Sequence, residues 1–334
     1  MPATVNHPEH AGIRPTTSTI SMANRWHHAL ARFGVNRGGH RVEPGLYALG
    51  SPTPDSPAFV TANYMLSFDA LRAALVGIDG YILVLDTKGV NVWCAAGKGT
   101  FGTDELVQRI ESTHLSDVVR RRLVILPQLG AAGVAAHEVK KRSGFSVEYG
   151  PVRAADLPKY LENRQATSQM RTVQFGLTER LSLVPVEVVS VLILLLLATA
   201  AWFLFGHLLA LEAIVALLAA TVAFPILLPW LPTHDFSTKG FILGAAVILP
   251  FAALRLFSHP EVALGQRLVA SAATLLIWPS VTAFFTLNFT GATTFTSRTG
   301  VRREIFRYIP LMAVMFVSGI VLSVVKVVGL LGGA

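Results

Sequence analysis

From about residue 184 to its end, the chain is written mostly in Leu, Ile, Val, Ala and Phe. Five stretches there, at about 184–206, 208–231, 240–257, 263–287 and 308–331, are long enough to cross a bilayer as helices, which takes roughly 20 apolar residues each. Apolar residues make up 52% of the chain and charged residues only 14%, too apolar a balance for a single water-soluble domain. The excess is confined to the second half, so the sequence predicts one soluble domain followed by an all-α membrane domain of five spans. Glu212, Arg255, Arg267 and Lys326 fall in or beside the spans and are expected to snorkel to the interface.

Basic residues in short loops set orientation. With the N-terminal domain cytoplasmic, the inside flanks hold Arg164, Arg171, Arg180, Lys239, Arg298, Arg302, Arg303 and Arg307, and the outside loops hold only Arg255 and Arg267. The expectation is a multi-pass protein of the inner membrane with its soluble domain in the cytoplasm. The net charge of +8 follows from this topology. No basic patch with interleaved aromatics marks a nucleic-acid partner.

Residues 1–41, with His7, His10, His27, His28 and His40 among Pro, Ser, Thr and Asn, read as a flexible tail with at most one short helix at 24–33. Residues 42–165 alternate strand and helix signals. Strands are expected at 58–61, 81–85, 123–126 and 146–149. Helices are expected from Ser67 to near Gly77, from a Thr103 cap through Ile110, at 134–142 and at 156–163. Such alternation implies an α/β, Rossmann-like domain with a parallel sheet. Residues 166–183 read as a linker and 184–334 as the membrane domain.

Ligands of such sheets sit at the carboxyl ends of the strands. The loops there supply the candidate site residues: Thr61, Ala62 and Asn63; Asn91 to Thr100; Gln128, Leu129 and Gly130; and Gly150, Pro151, Val152 and Arg153. The second of these loops holds Cys94, the only cysteine. One thiol excludes an intramolecular disulfide and a cysteine-ligated iron–sulfur cluster, which takes about four. The cysteine itself admits an inert buried thiol, a nucleophile or an axial ligand to a soft metal in a cofactor. A phosphate-binding loop is excluded, because Gly97-Lys98 is followed by Gly99 rather than Ser or Thr, and position 92 is Val.

Asn91-Val92-Trp93-Cys94-Ala95-Ala96-Gly97-Lys98 matches at every position the signature of the HgcA family, the corrinoid proteins of microbial mercury methylation. Val42-Glu-Pro-Gly-Leu-Tyr-Ala-Leu-Gly50, Val60-Thr-Ala-Asn-Tyr64, Leu66-Ser-Phe-Asp-Ala-Leu-Arg72, Leu83-Val-Leu-Asp-Thr-Lys88, Gly99-Thr-Phe-Gly-Thr103 and Asn288-Phe-Thr-Gly-Ala-Thr-Thr-Phe-Thr-Ser297 resemble the same family. More loosely, the soluble part resembles the corrinoid domain of the corrinoid iron–sulfur protein of the acetyl-CoA pathway.

The resemblance implies a corrinoid (cobalamin-type, cobalt) cofactor with Cys94 as lower axial ligand and catalytic residue. Asn91, Val92, Trp93, Ala95, Ala96, Gly97, Lys98, Gly99 and Thr100 would shape the turn that presents it, and the other three loops would hold the corrin rim and tail. It implies a methyltransferase passing a methyl group from cobalt to Hg(II), giving methylmercury, with a methyltetrahydrofolate-type donor. A ferredoxin-like iron–sulfur partner of the HgcB type would supply electrons. Two other readings stand beside it: a membrane-anchored corrinoid methyl carrier for one-carbon metabolism, and a non-enzymatic membrane protein binding metal through Cys94 and the N-terminal histidines.

Overall fold

The computed structural model describes residues 12–36, 38–293 and 297–331. The chain divides into two compact units, with the boundary between Gln174 and Phe175.

The first unit is built on a six-stranded sheet in the order β1-β2-β4-β3-β5-β6. Its elements are β1 (Arg14–Thr16), α1 (Met22–Arg32), β2 (Gly45–Leu49), β3 (Ala58–Ala62), α2 (Met65–Ala74), β4 (Gly80–Leu85), α3 (Val92–Lys98), α4 (Thr103–Ser112), α5 (Leu115–Val118), β5 (Leu123–Leu126), α6 (Ala136–Ser143), β6 (Ser146–Tyr149), α7 (Leu157–Asn163) and α8 (Ser168–Arg171). Strands β3 to β6 are parallel, as the alternation predicts. Every residue of β4 is buried, because helices cover both faces of the sheet and leave no solvent side for polar residues. One layer packs α4, α5 and α6 against Val60, Leu83, Leu85, Val124 and Leu126. The other packs α2 and α7 against Phe59, Ile82, Val84 and Ile125.

Three features depart from the sequence reading. The sheet is mixed: β2 runs antiparallel to β4, and β1 joins β2 in parallel. The stretch read as a flexible tail therefore contributes a strand to the domain, beside the short helix expected there, which is α1, while His7 and His10 lie outside the described residues. The helix expected to start at a Ser67 cap starts three residues earlier, with Tyr64 at the N-cap. The expected linker carries α8 and, across the unit boundary, α9 (Leu177–Leu181).

The second unit is helical: α10 (Val184–Ser190), α11 (Leu192–Phe205), α12 (His207–Leu218), α13 (Phe224–Leu227), α14 (Phe236–Phe257), α15 (Leu264–Asn288) and α16 (Arg298–Leu331). Four segments, His207–Leu227, Phe236–Phe257, Leu264–Gly291 and Thr299–Val325, are long and apolar enough to cross a bilayer. The first expected span is instead a pair, Leu177–Ser190 and Leu192–Phe203, bent by 57°. At the break, Ser190 Oγ donates to Glu187 O at 2.6 Å, a local bond that competes with the helix ladder. The count is five only if this bent pair is one span. The segment from His207 widens into a π turn at Ala219–Ala223, where Pro225 has no N–H for the carbonyl four residues back. The expected loop at 288–307 is shorter, since α16 starts at Arg298.

Helices α14 and α15 approach closely because Gly240 and Gly244 face Ala283, Pro279 and Thr282. A Cβ at Gly244 would lie 2.8 Å from both Pro279 Cα and Thr282 Cβ. Small residues four apart are the usual device for such contacts between apolar helices. Glu212 does not snorkel. It is 1% exposed and accepts two bonds from Arg255, at 2.7 and 3.0 Å, and one from Trp278 Nε1 at 2.9 Å. On α16, Val314, Val317 and Val321 remain more than half exposed, an outward apolar surface of the kind lipid covers.

Candidate functional site

The direction of chain travel reverses between β3 and β5. From β3 the chain moves through α2 to β4 on one side, and from β5 through α6 to β6 on the other. Ligands of open α/β sheets bind at such a switch point. The pairing makes room for one here. Strands β3 and β4 stay paired through Ala62–Leu85, whereas β3 and β5 pair only at Ala58–Val124 and Phe59–Ile125. Past that point the strands part.

A cavity of about 260 Å³ opens there. Thr61, Asn91, Val92, Trp93, Leu129, Pro151 and Val152, all expected at the site, line it together. So do Ser67, Ala70 and Leu71 of α2, Pro127, Ala154, and Leu157 of α7. Sequence reasoning missed the residues of α2 and α7 because they come from helix faces rather than strand ends; Pro127 directly follows β5 and belongs to the expected loop before Gln128. The lining is mostly apolar.

Cys94 lies in a helix, not in the turn expected. Asn91 caps α3, its Oδ1 accepting from Cys94 N at 2.9 Å. At the other end Gly99 caps in the left-handed region, at φ +83°, and its N–H returns to Ala95 O and Ala96 O. Val92, Ala95 and Ala96 are buried in the core, Cys94 is half-buried, and Asn91, Trp93, Gly97, Lys98 and Gly99 face outward. The helix sits tightly because Gly133 lies against Ala96: a Cβ there would be 3.1 Å from Ala96 Cα and would collide with Phe101 O. Thr100 Oγ1 is buried with no hydrogen-bond partner. Thr103, expected as the cap of α4, is its first residue after a Gly102 cap; its Oγ1 accepts from Ala135 N at 2.9 Å.

The other expected residues divide by role. Ala62 is buried in the core and Gly130 packs against Phe101. Gln128 Oε1 accepts from Arg171 Nη1 at 2.6 Å, Gly150 N donates to Leu126 O, and Arg153 is exposed. Asn63 is 2% exposed and organises the turn ahead of α3. Its Oδ1 accepts from Thr87 N at 3.1 Å and Gly89 N at 2.9 Å, with Thr87 Oγ1 at 2.9 Å, and its Nδ2 donates to Asp86 Oδ1 at 3.2 Å. Its amide is thus engaged within the protein. Lys88, in the left-handed region at φ +60°, donates through Nζ to Asp86 Oδ2 at 2.5 Å. That bond holds the Asp86 carboxyl below the usual carboxylate range against the opposing effect of burial.

The N-terminal histidines in the described region do not gather round Cys94. His28 pairs with Asp69 at 2.7 Å and His40 Nε2 lies 2.8 Å from Val35 O. Among the described residues no group of three His, Cys, Asp or Glu side chains is placed to hold a metal ion.

Residues 33–161 match the model of the CO dehydrogenase/acetyl-CoA synthase delta subunit family. The chain is 34% identical over 123 residues to the acetyl-CoA decarbonylase/synthase complex subunit gamma of Methanopyrus kandleri, and 33% identical over 124 residues to that of Archaeoglobus fulgidus. Each match covers 36% of this chain and 26% of the relative. It is 29% identical over 119 residues to the corrinoid/iron-sulfur protein large subunit of Moorella thermoacetica, covering 35% of this chain and 26% of that protein. The chain thus spans about a quarter of the length of these relatives. The family match contains the switch-point cavity and α3, and ends before the second unit.

Proposed function

We propose that this chain is a membrane-anchored corrinoid protein of methyl transfer, in which Cys94 would be the residue that holds cobalt. The seat of the only thiol carries the reading: half-buried on a short capped helix, next to residues that line an apolar cavity at the switch point. The residues fit such a cofactor. A thiolate is a donor for a soft metal, and a cavity of about 260 Å³ takes one flat, mostly apolar part of a larger group. Bound there, the corrinoid would supply a cobalt centre able to accept and release a methyl group.

The chain's own residues would hold that centre in place. Asn91 fixes the amide of Cys94, and Gly133 and Phe101 fix α3 against the core. Asn63 sets the turn from which the helix starts. With one cysteine the chain has no ligand set for a cluster of its own, so electrons would come from a ferredoxin-like iron–sulfur partner. The apolar helices of the second unit would anchor the domain, placed in the cytoplasm by the basic flanks.

Two acceptors divide the reading. A carrier for one-carbon metabolism is favoured by the similarity to subunits named for acetyl-CoA decarbonylase/synthase and for a corrinoid/iron-sulfur protein. Hg(II) as acceptor is favoured by the unbroken match of residues 91–98 to the HgcA signature. With its only thiol on cobalt, the chain also keeps no second thiol to trap a soft metal ion.

The full chain, purified in detergent and loaded with cobalamin, is expected to show a visible spectrum of thiolate-bound cobalt that Cys94→Ala lacks. The same spectrum in the variant would overturn the reading. Methyl transfer from the loaded protein, assayed with Hg(II) and with the corrinoid-accepting subunits of acetyl-CoA synthesis, then separates the two acceptors.

A further inference from the structure

Residues 12–42 hold five arginines, at 14, 25, 32, 37 and 41, and no Asp or Glu. Within this stretch α1 is a firm element. Ser21 and Asn24 form a reciprocal capping box, the inner face is tied to α2 by His28 meeting Asp69, and the segment leading into α1 is held by Arg72, which donates to Thr17 O at 2.7 Å and Thr19 O at 2.6 Å. Asp69 and Arg72 are buried, so the attachment is polar and desolvated.

The outer face is the opposite of what a water-facing helix needs. Met22 is 78% exposed, Trp26 66% and Phe33 49%. Spacings of four and seven put these three on one side of a helix. Arg25 and Arg32 each precede a stripe residue, and the helix has no acid. Exposed apolar stripes of this kind mark interaction sites. Tryptophan and arginine beside one another suit the headgroup level of a bilayer, where one end of each side chain is wet and the other is not.

We infer that α1 lies on an anionic phospholipid surface, with Met22, Trp26 and Phe33 entering the headgroup layer and Arg25 and Arg32 meeting lipid phosphates. The charge selects this occupant. A stretch with five arginines and no acid complements an anionic surface, and each arginine near such a surface strengthens binding by a factor of about five. The inference rests on the reading that the apolar helices of the second unit cross a bilayer, since that puts a lipid surface in reach.

The test is hydrogen exchange of the full chain in two lipid nanodiscs, one of phosphatidylcholine alone and one also containing phosphatidylglycerol. The amides of α1 are expected to exchange more slowly in the anionic disc, by roughly 25-fold for two arginines. The doubly substituted R25E/R32E chain should lose that slowing, and Trp26→Ser should reduce it. Neither change touches the cavity or α3. Equal exchange of α1 in the two discs would overturn the inference, as would slowing that appears only when an iron–sulfur partner protein is added. The amides of α12, α14 and α15 report separately. If they exchange freely in both discs, it is the membrane-spanning reading that has failed.

Discussion

Asn63→Ala is expected to loosen the seat of Cys94 without touching it. Asn63 Oδ1 is the acceptor for Gly89 N, at 2.9 Å, and shares Thr87 N with Leu85 O. The Thr87 hydroxyl has a second acceptor in Val90 O at 2.6 Å. Removing the amide therefore leaves one backbone donor without a partner, weakens another, and strips Asp86 of the Asn63 Nδ2 bond. A part-buried donor left unsatisfied costs about 1–3 kcal/mol, so the turn at 86–89 should open more easily by about 2 kcal/mol. Local opening at that cost speeds amide exchange roughly 30-fold. Hydrogen exchange resolved on peptides covering 86–94 measures it, and peptides from β6 serve as an internal control. Asn63→Asp sharpens the test. It keeps the acceptor for Gly89 and Thr87 but sets a second carboxylate against Asp86. Two adjacent carboxylates raise each other's proton affinity, so this variant should be loosened at neutral pH and recover as the pH falls. Exchange in Asn63→Ala within threefold of the parent, or no pH dependence in Asn63→Asp, would refute the role assigned to this side chain.

Three further outcomes follow from the same contacts. Asn91→Ala should cost about 1 kcal/mol of α3 stability, and Asn91→Asp almost none, because Asp caps as well as Asn; exchange at the Cys94 amide distinguishes them by about fivefold. The Asp86 carboxyl has its folded pKa lowered by Lys88 and Asn63, so its stabilising effect is present above its unfolded value, about 3.9, and is lost as the pH falls through the lower folded one; unfolding curves of Asp86→Asn from pH 6 to pH 2 should lack that part of the acid sensitivity. In the second unit, Glu212→Ala should destabilise by up to about 3 kcal/mol by leaving the part-buried Arg255 without its counter-charge, and the double substitution E212L/R255L should recover most of it; thermal unfolding in detergent reads both.

The central strands were legible because burial on both faces forces unbroken apolar runs, and the apolar spans because their length and composition suit a bilayer core. Residues 81–85 and 123–126 could be little else. Helix α3 was not legible. Its seven residues make barely two turns, too few for a periodicity to show, and Gly97 argues against a helix. The signal present was Asn91, a strong capping residue, ahead of Val92, Ala95 and Ala96 at helical spacing. The role of Asn63 was hidden for a different reason. A polar residue at a strand end reads as a ligand contact, and its partners at Asp86, Thr87 and Gly89 lie 23 to 26 residues on. Glu212 resembled a snorkelling residue because Arg255 is 43 residues away. In each case the local pattern fixes the element, while the partner of a polar group is fixed only by the fold.

That distinction bears on how the lone thiol works. Had Cys94 stood in a loop, a bound cofactor would have had to order the loop, at about 1–2 kcal/mol of backbone entropy for each residue fixed. In a capped helix that ordering is already done. The control runs through side-chain oxygens that accept from backbone amides, Asn63 at the turn 86–89 and Asn91 at the Cys94 amide, and none of these bonds uses the sulfur. The two kinds of substitution should therefore separate. Cys94→Ala removes the proposed cobalt ligand and must change the spectrum of the loaded protein. Asn63→Ala and Asn91→Ala leave the ligand in place, so the thiolate-bound spectrum should persist while affinity for the corrinoid falls by the fraction of time the helix is unseated. A positioning variant that lost the spectrum while binding with full affinity would mean that these residues act on the metal rather than on the helix.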